Sequence, residues 1–343
     1  MAVVSDSRLD RSLHGAHFNS FHECYPAVLD AVFHRSEYAS APRGQLIREM
    51  IGASYSVARP WQRFFLSPAR RTNLVFNYAE ALWYLTGGDE LDYLRYYAPT
   101  IANFTGPARR LSGSAYGPRI FANGVNSVDQ WRRVSDLLTT DEGSRRAVIQ
   151  IFSPTESLDL DNADVACTLS FQFLLRDGAL ELIAYMRAND AYRGMVSDVF
   201  SFTLLQEVLA TQLGVATGRY HHHVGSLHVY ERDRDRVTRV LTTPVHPDGE
   251  LMFPSIPANT DVWHDLKIVS DWETGLRADT RRLSDHTPGS LELPPYWQDV
   301  VVLLDCYRRL RRGEPQREAL VLRLPEVFRL ALAFRWPDAF PMS

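Results

Sequence analysis

The residues best suited to chemistry lie between positions 166 and 230 of this 343-residue chain. Cys167 is one of three widely spaced cysteines, and a thiolate is a nucleophile whose formation is favoured by nearby arginines. Arg187, Asp198 and the motif His228-Val229-Tyr230 follow it. An arginine can bind an anion in a fork, and a carboxyl can distinguish hydrogen-bond donors from acceptors. The stretch therefore predicts that Cys167 is a nucleophile.

Several candidate residues allow both a functional and a structural interpretation. Glu80 stands near Trp83 in an apolar helical pattern. It is either an acid at the surface or a carboxyl held near a cleft, where its pKa would be raised. Asp198 stands at a helix start, where acids are favoured as caps for structural reasons alone. Tyr116 lies in the Gly-, Pro- and Ser-rich segment 103–126, which predicts a long loop of the kind that often carries function.

Arginines and histidines raise the same question elsewhere. Arg43 precedes a predicted strand, and Arg145-Arg146 open another. Such residues are either solvated or fork onto phosphate oxygens. The run His221-His222-His223 suggests a metal, but consecutive strand residues face opposite sides, so three neighbours cannot ligate one ion. We therefore expect no metal site.

Composition narrows the class of protein. A net charge of -4 gives no general reason to expect nucleic-acid or membrane binding, and 45% hydrophobic with 23% charged residues is typical of a globular protein. An odd number of cysteines argues against a disulfide framework, and Cys24 and Cys306 are expected to be buried thiols. Residues 1–13 have no signal-peptide core, and no apolar run has membrane-spanning length. We expect a soluble cytoplasmic protein.

Hydrophobic periodicity predicts the elements that position these residues. Two runs, 168–176 and 179–187, joined by Asp177-Gly178, predict a β-hairpin. An acidic loop containing Glu156, Asp159, Asp161 and Asp164 precedes them. Helices are predicted over 21–33, 73–86, from Ser197-Asp198 to Gly214 and over 297–312, strands over 45–57, 147–152 and 265–272, and a loop over 244–257. No repeat or linker divides the chain, which predicts one domain, 1–343, with a core of about 40–235 and a C-terminal portion, 236–343.

This ordered set of residues resembles the thymidylate synthase family, and more narrowly its cytidylate-hydroxymethylase branch, over about 43–233. Arg187, Asp198 and His228 follow Cys167 by 20, 31 and 61 residues, separations that look like those of the family. Any single motif is weak, but the set is specific. The resemblance implies an α+β fold: a large mixed or antiparallel sheet packed with helices, with sheets stacked across a homodimer interface.

The resemblance also implies roles for individual residues. Cys167 would attack C6 of a pyrimidine nucleotide, Glu80 would organise proton transfer, and Tyr116 would help remove the C5 proton. Asp198 would read the base near Thr168. Other substrate contacts are expected from Arg43, Arg145, Arg146, Arg187, Ala188, Asn189, Asp190, His228 and Tyr230, with the paired arginines Arg145 and Arg146 reaching the other subunit's site. The co-substrate 5,10-methylenetetrahydrofolate is expected at Trp83, Asp190 and Gly194.

Departures from the family pattern favour cytosine and hydroxymethylation. Asp198 stands where uracil-specific members carry Asn, and a carboxyl accepts from the cytosine amino group and, when protonated, donates to N3. Thr168 replaces a histidine, and no tryptophan lies between Trp83 and Trp131 to exclude water. Ala188 replaces a serine, which favours CMP over dCMP, as in hydroxymethylases of nucleoside-antibiotic pathways. The expected product is 5-hydroxymethyl-CMP.

Two alternatives stay open. The protein could be an ordinary thymidylate synthase that methylates dUMP, or a non-catalytic nucleotide-binding homologue in which Cys167 is structural. Asn73 stands where the family often has a folate-facing histidine, which bears on the cofactor contacts. The fate of the exocyclic carbon and the choice of base separate these alternatives.

Overall fold

The computed structural model describes residues 15–101, 109–124, 126–158, 161–162, 164–245 and 251–341. The expectation for residues 1–13 lies outside these ranges, as do parts of the predicted loops 103–126 and 244–257 and Asp159 of the acidic loop. Nearly all the buried apolar residues of the described ranges form one hydrophobic cluster.

A mixed sheet is the centre of the fold, and seven strands of the described chain belong to it. They are β1 (Ala16–Phe18), β2 (Tyr38–Ser40), β3 (Ile47–Val57), β4 (Val148–Gln150), β5 (Thr168–Arg176), β6 (Ala179–Asp190) and β7 (Ala216–Tyr230). Their order is β1-β3-β7-β6-β5-β4, with β2 beside β3. The pairs β1–β3 and β6–β7 are parallel and the other pairs are antiparallel. The expected α+β fold with a mixed sheet is confirmed.

Helices pack against this sheet and against one another. They are α1 (Phe21–His34), α2 (Leu74–Leu85), α3 (Leu91–Tyr97), α4 (Tyr116–Phe121), α5 (Gln130–Thr140), α6 (Met195–Leu213), α7 (Arg234–Thr242), α8 (Val262–Arg277), α9 (Thr287–Ser290), α10 (Pro295–Arg312), α11 (Glu318–Arg323) and α12 (Glu326–Arg335). Helix α6 is buried almost all round because it packs between α2 and strands β6 and β7. Across the described ranges, none of these helices combines the length and apolar character needed to cross a membrane.

Most local predictions are confirmed. The hairpin β5–β6 turns at Asp177 and Gly178, whose φ angles of 50° and 74° are what a two-residue type I′ turn requires. Helix α6 ends at Gly214 with φ 69°, a left-handed C-terminal residue. Helices α1, α2 and α10 and strand β3 also lie where periodicity predicts them, and Cys306 is buried in α10 as expected.

Three local predictions are wrong. The segment 265–272 belongs to helix α8, in which Asp261 accepts a hydrogen bond from the backbone of His264 as the N-cap. The predicted loop 103–126 contains helix α4. Helix α6 begins at Met195, so Asp198 lies within its first turn rather than at its cap.

The two faces of the sheet differ. On the face beneath the helices, Tyr220, His222 and Val224 of β7 are buried. On the other face Tyr185 stacks on His223 with ring centroids 5.5 Å apart, and both side chains are partly exposed. The neighbouring histidines therefore face opposite sides, as expected for a strand.

Candidate active site

Cys167 immediately precedes β5, where β6 runs alongside. The backbone N–H of Arg187 on β6 donates to the Cys167 carbonyl at 2.8 Å. The Arg187 guanidinium donates to the carbonyls of Ala166 (Nε, 2.8 Å) and Val165 (Nη2, 2.9 Å), and its Nη2 lies 3.6 Å from Cys167 Sγ. The sheet therefore places a cation, held by the protein's own backbone, against a partly exposed thiol.

Opposing effects act on ionisation of this thiol. Burial raises the pKa of Cys167 and is the largest effect, whereas the charges of Arg187 and Arg43 lower the pKa. Arg43 lies in a single turn at Pro42–Gly44 with φ 51°. Asp198 and Asp164 oppose ionisation, and the pKa stays above its ordinary value. The thiol is therefore protonated in the resting protein, and attack requires that a proton be removed.

Asp198 belongs to the first turn of α6, and its carboxyl lies beside Gly194, the residue before the helix. Its Oδ2 accepts a hydrogen bond of 2.7 Å from Asn189 Nδ2, and no side-chain cap forms at the helix start. The capping interpretation of Asp198 is therefore wrong. A Cβ at Gly194 would lie 3.0 Å from Asp198 Oδ2 and 3.4 Å from Asn189 Nδ2, so glycine leaves room for this hydrogen bond.

Glu80 lies beside Asp198 across the α2–α6 contact. Its Oε2 accepts a hydrogen bond of 3.2 Å from Ser201 Oγ, so the carboxyl faces α6 and the surface interpretation is wrong. Burial first, and then the charge of Asp198, raises the pKa of Glu80 to about 8. Burial raises the pKa of Asp198 to about 7, against a lowering by the Asn189 hydrogen bond. Two carboxyls near Cys167 can therefore hold protons at neutral pH.

Tyr116 begins α4 and reaches the same site. Its ring stacks on Tyr84 of α2 with centroids 4.9 Å apart, and its hydroxyl accepts a hydrogen bond of 3.1 Å from Thr168 Oγ1. A Cβ at Gly117 would lie 2.8 Å from Gly87 Cα, so only glycine allows α4 to approach α2 this closely. Tyr116 is thereby held beside the residue that follows Cys167.

Two acids of the predicted acidic loop position the site, a role that the sequence did not reveal. Asp164 accepts backbone N–H bonds from residues 112–114 at 2.8 to 3.0 Å. Glu156 accepts the N–H of Ala166 at 2.8 Å and pairs with Arg119 of α4. These carboxylates tie the segment before Cys167 to the segment that carries Tyr116. No local sequence signal marks them, because their partners lie 10 to 52 residues away.

The ends of β6 and β7 bring a second group of candidates together. Asp190 and His228 are register partners, and the Tyr230 ring lies edge-on to His228 at 5.4 Å. Asp190 Oδ1 accepts the backbone N–H groups of Tyr192 and Arg193, both at 2.9 Å. Its Oδ2 is buried without a hydrogen-bond partner among the described residues, although Arg193 Nε lies 3.9 Å away.

Comparisons with known proteins agree with this geometry. A family model described as thymidylate synthase matches residues 23–270. The chain belongs to the thymidylate synthase family. A deoxyuridylate hydroxymethyltransferase of Bacillus phage SP01 is 31% identical to it over 221 residues, which are 62% of this chain and 57% of that protein. The chain thus spans little more than half the length of this curated relative.

Some candidates assigned from the family resemblance lie apart from Cys167 within one chain. Arg145 and Arg146 are exposed before edge strand β4, where Arg146 lies 3.9 Å from Asp141. Trp83 is 1% exposed and packs under Gly88. Across the described ranges, no three His, Cys, Asp or Glu side chains are grouped so that they could hold a metal ion.

An arginine-rich cavity of about 660 Å³ is lined in part by Arg193 and Ser197, which are sequence neighbours of Asp190 and Asp198. Arg70 donates to the carbonyl of Tyr192 at 2.7 Å, and burial together with the charges of Arg71 and Arg70 lowers the pKa of Arg335. Asn73 also borders the cavity, capping α2 through the N–H of Phe76 at 3.0 Å. The cavity's basic lining is Arg70, Arg71, Arg193, Arg236, Arg239 and Arg335. Sequence reasoning missed it because these arginines come from four separate segments.

Proposed function

We propose that the protein transfers the one-carbon unit of 5,10-methylenetetrahydrofolate to C5 of cytidine monophosphate and that water completes the product, 5-hydroxymethyl-CMP. The observation that carries the proposal is Asp198, a carboxyl with a pKa of about 7 beside Cys167 and Glu80. Uracil-specific family members resembling this chain have an amide at that position. The change from amide to acid gives the site a proton that it can transfer.

Cytosine suits a protonated Asp198. Its N3 is an acceptor and its N4 amino group is a donor, so one carboxyl oxygen donates to N3 while the other accepts from N4. N3 gains electron density when a nucleophile adds at C6, and a proton from Asp198 stabilises that charge. The same residue therefore binds the base and acts as a general acid.

The other side chains divide the remaining steps. A Cys167–C6 bond would form as the electrons of the C5–C6 double bond shift toward N3. Arg187, whose Nη2 lies 3.6 Å from Cys167 Sγ, would stabilise the thiolate before it attacks C6 and again when it leaves. C5 would then bond to the methylene carbon of the folate as one of that carbon's two C–N bonds breaks. Loss of the C5 proton, assisted by Tyr116 and Glu80, would break the second C–N bond, release tetrahydrofolate and leave an exocyclic methylene group. Addition of water oxygen to the exocyclic carbon, and departure of Cys167, complete the product with no change in oxidation state.

The residues present fit a folate co-substrate, which supplies a carbon at the oxidation level of formaldehyde. The arginine-rich cavity provides cations for its glutamyl carboxylates. Asp190 Oδ2, buried and without a hydrogen-bond partner in the described chain, suits the donors of a pterin ring beside Gly194. Trp83, although assigned to this contact from the resemblance, lies in α2 and is buried in the core, so it would support the contact only through packing.

The sugar and phosphate would bind along β6 and β7. His228 and Tyr230 would hold the ribose, and Arg43 and Arg187 the phosphate. Ala188 is the register partner of Ser226. It lacks the hydroxyl of the serine that most family members have at this position. The space favours a ribose 2′-hydroxyl, and hence CMP over dCMP.

We also propose that two chains form the active unit, with Arg145 and Arg146 of one chain completing the phosphate site of the other. The half-exposed sheet face that carries Tyr185 and His223 would form the interface. Mixing an inactive Cys167→Ser variant with an inactive Arg145→Ala/Arg146→Ala variant tests this. Mixed dimers contain one intact site, so activity should return to about a quarter of the wild-type level; no recovery after subunit exchange would contradict shared sites.

A uracil nucleotide is the second candidate substrate. The relative from Bacillus phage SP01 carries the name deoxyuridylate hydroxymethyltransferase, which favours the same chemistry on dUMP. A protonated carboxyl can pair with uracil if its two oxygens exchange roles. Whether the site binds cytosine or uracil thus depends on which oxygen of Asp198 carries the proton.

Mass spectrometry of CMP, dCMP, UMP and dUMP incubated with enzyme, formaldehyde and tetrahydrofolate tests the proposal. A gain of one hydroxymethyl group on CMP, with less on dCMP and none on the uracil nucleotides, is the expected result. Methylated dUMP together with dihydrofolate would instead identify a thymidylate synthase. Nucleotide binding without exchange of the C5 hydrogen would identify a non-catalytic homologue.

A further inference from the structure

A series of hydrogen bonds leads from the buried face of the sheet to the partly buried Asp198. Tyr220 Oη lies 2.5 Å from His222 Nδ1, His222 Nε2 lies 3.2 Å from Asn189 Oδ1, and Asn189 Nδ2 lies 2.7 Å from Asp198 Oδ2. Tyr220 and His222 are 0% exposed and Asn189 is 3% exposed. The resemblance assigned Asn189 to the substrate, but both polar atoms of its amide are engaged inside the protein.

The direction of every hydrogen bond in this chain follows from its chemistry. Burial lowers the pKa of His222 to about 3, so the ring is neutral and has one N–H and one acceptor nitrogen. Asn189 Oδ1 can only accept, so Nε2 carries the hydrogen and Nδ1 accepts from the Tyr220 hydroxyl. The Asn189 amide is thereby oriented with its Nδ2 donating to Asp198.

The ring of His222 is also fixed in orientation. Tyr55, its register partner on β3, stacks on it with centroids 4.9 Å apart and planes 21° apart. Gly194 leaves the space through which Asn189 and Asp198 meet. The chain of donors therefore rests on two strands and a packed aromatic pair.

We infer that Tyr220, His222 and Asn189 form a positioning relay that fixes which oxygen of Asp198 carries its proton, and thereby makes the site read one pyrimidine base rather than both. An N–H bonds a carbonyl oxygen better than a hydroxyl oxygen, so donation into Oδ2 keeps the proton on Oδ1. With Oδ1 toward N3, cytosine is matched at both atoms, whereas uracil meets a donor with a donor and an acceptor with an acceptor. The inference rests on the proposed function in its use of Asp198 to read the base.

Other ionisable groups around Asp198 do not supply this asymmetry. The groups that face it are Glu80 on α2, Asp190 on β6, Cys167 before β5, and the buried tyrosines Tyr55, Tyr84 and Tyr116. Their charges shift the proton affinity of the whole Asp198 carboxyl and do not favour one of its oxygens over the other. Only Asn189 donates a hydrogen bond to one particular oxygen in the described structure.

The test measures Kd for CMP and UMP in a Cys167→Ser background, where no covalent bond contributes. His222→Phe keeps the ring stack but lets the Asn189 amide turn over, and Asn189→Ala removes the donor itself. Each should reduce base discrimination at least about tenfold, the loss expected from one buried hydrogen-bond mismatch. His222→Gln, which can donate to Asn189 and accept from Tyr220, should restore it; Tyr220→Phe should change it least.

The pH dependence separates a relay from a merely structural role. The oxygen that carries the proton matters only while Asp198 is protonated, so the difference between wild type and His222→Phe should be largest below about pH 7 and shrink above it. Unchanged discrimination in folded His222→Phe and Asn189→Ala proteins would overturn the inference. A wild-type preference for UMP would overturn the cytosine assignment alone, because loss of that preference in His222→Phe would still support the relay.

Discussion

The two ends of α6 hold their carboxyls, one buried and one partly buried, in opposite ways. Near its C-terminal end, Glu207 pairs with the fully buried Arg63 and accepts the N–H of Ile256 at 2.8 Å. Near its N-terminal end, Asp198 receives one neutral amide hydrogen bond, from Asn189. The first carboxyl is matched with a permanent cation, and the second is not.

This difference separates a structural acid from a chemical one. Arginine stays charged at any relevant pH, so Glu207 is held as half of an ion pair that joins α6 to the segment before α2. Burial raises the pKa of Glu207 as well, but the charge of Arg63 and the hydrogen bonds from Ile256 and Arg63 oppose that rise. Asp198 and its neighbour Glu80 have no cation among the described residues to oppose it, and burial raises their pKa values to about 7 and 8. A protein that only needed to bury these acids would gain stability by pairing them, so their isolation points to proton transfer.

The largest expected effect is on kcat, and it comes from substitution of Asp198 near the N-terminal end of α6. Asp198→Asn keeps the two hydrogen bonds to cytosine, because Asn189 orients the new amide with its NH2 toward N3, but it removes the transferable proton. We expect kcat for CMP to fall about 10²- to 10⁴-fold, the usual contribution of a general acid, while binding of CMP loses its pH dependence near neutrality. Steady-state kinetics and titration of Kd against pH measure both.

Glu207→Gln is the matched control for that change. It makes the same chemical substitution on the same helix, at the carboxyl that has a cation. We expect kcat per folded molecule and its pH profile to stay within about twofold of wild type. Equal losses of kcat in the two variants would show that the substitutions act through the helix and not through proton transfer.

The next largest effect concerns stability at the paired end. Arg63→Met leaves the Glu207 carboxylate buried without its cation, which should lower the free energy of unfolding by about 3–5 kcal/mol. The double variant Arg63→Met/Glu207→Leu, with no charge left to bury, should lose less. Urea denaturation followed by far-UV circular dichroism measures this, and a double variant less stable than the single one would contradict the ion-pair account.

Local signals determined how much could be predicted from the sequence. The Asp177-Gly178 turn and the apolar stripes of α1, α2 and α10 are short-range patterns, so those elements were predicted correctly. Segment 265–272 was too short a window to show a helical period; the buried apolar positions Val262, Leu266, Val269 and Leu276 reveal it over the whole of α8. The α4 helix depends on the contact between Gly117 and Gly87, which no local pattern encodes.

The candidate site divides in the same way. Residue types and spacing, together with the family resemblance, indicated Cys167, Glu80, Tyr116 and Asp198, because their chemistry is carried by single side chains. The partner of Asp198 was hidden, since the relay joins residues on β6 and β7 whose meeting depends on strand register. The histidine triplet suggested a metal from the sequence, whereas in the structure its middle member hydrogen-bonds to Tyr220 and Asn189.

The smallest expected effect is on the pH dependence of stability, and it comes from Glu80, a carboxyl that has no cation as a partner in the described part of the chain. Its folded pKa of about 8 exceeds the ordinary carboxyl value, so the folded state binds a proton that the unfolded state has lost between about pH 5 and 8. Its contribution to stability is therefore complete below the unfolded pKa and is lost as the pH rises through about 8. Glu80→Gln should match wild type near pH 4 and become more stable above pH 8. We expect a gain on the order of 2 kcal/mol, less than the whole pKa shift would give, because Glu80 is partly exposed and solvent screens its charge. Thermal denaturation at both pH values measures this, and a variant that is less stable than wild type at pH 9 would mean that the ionised Glu80 is held by favourable contacts after all.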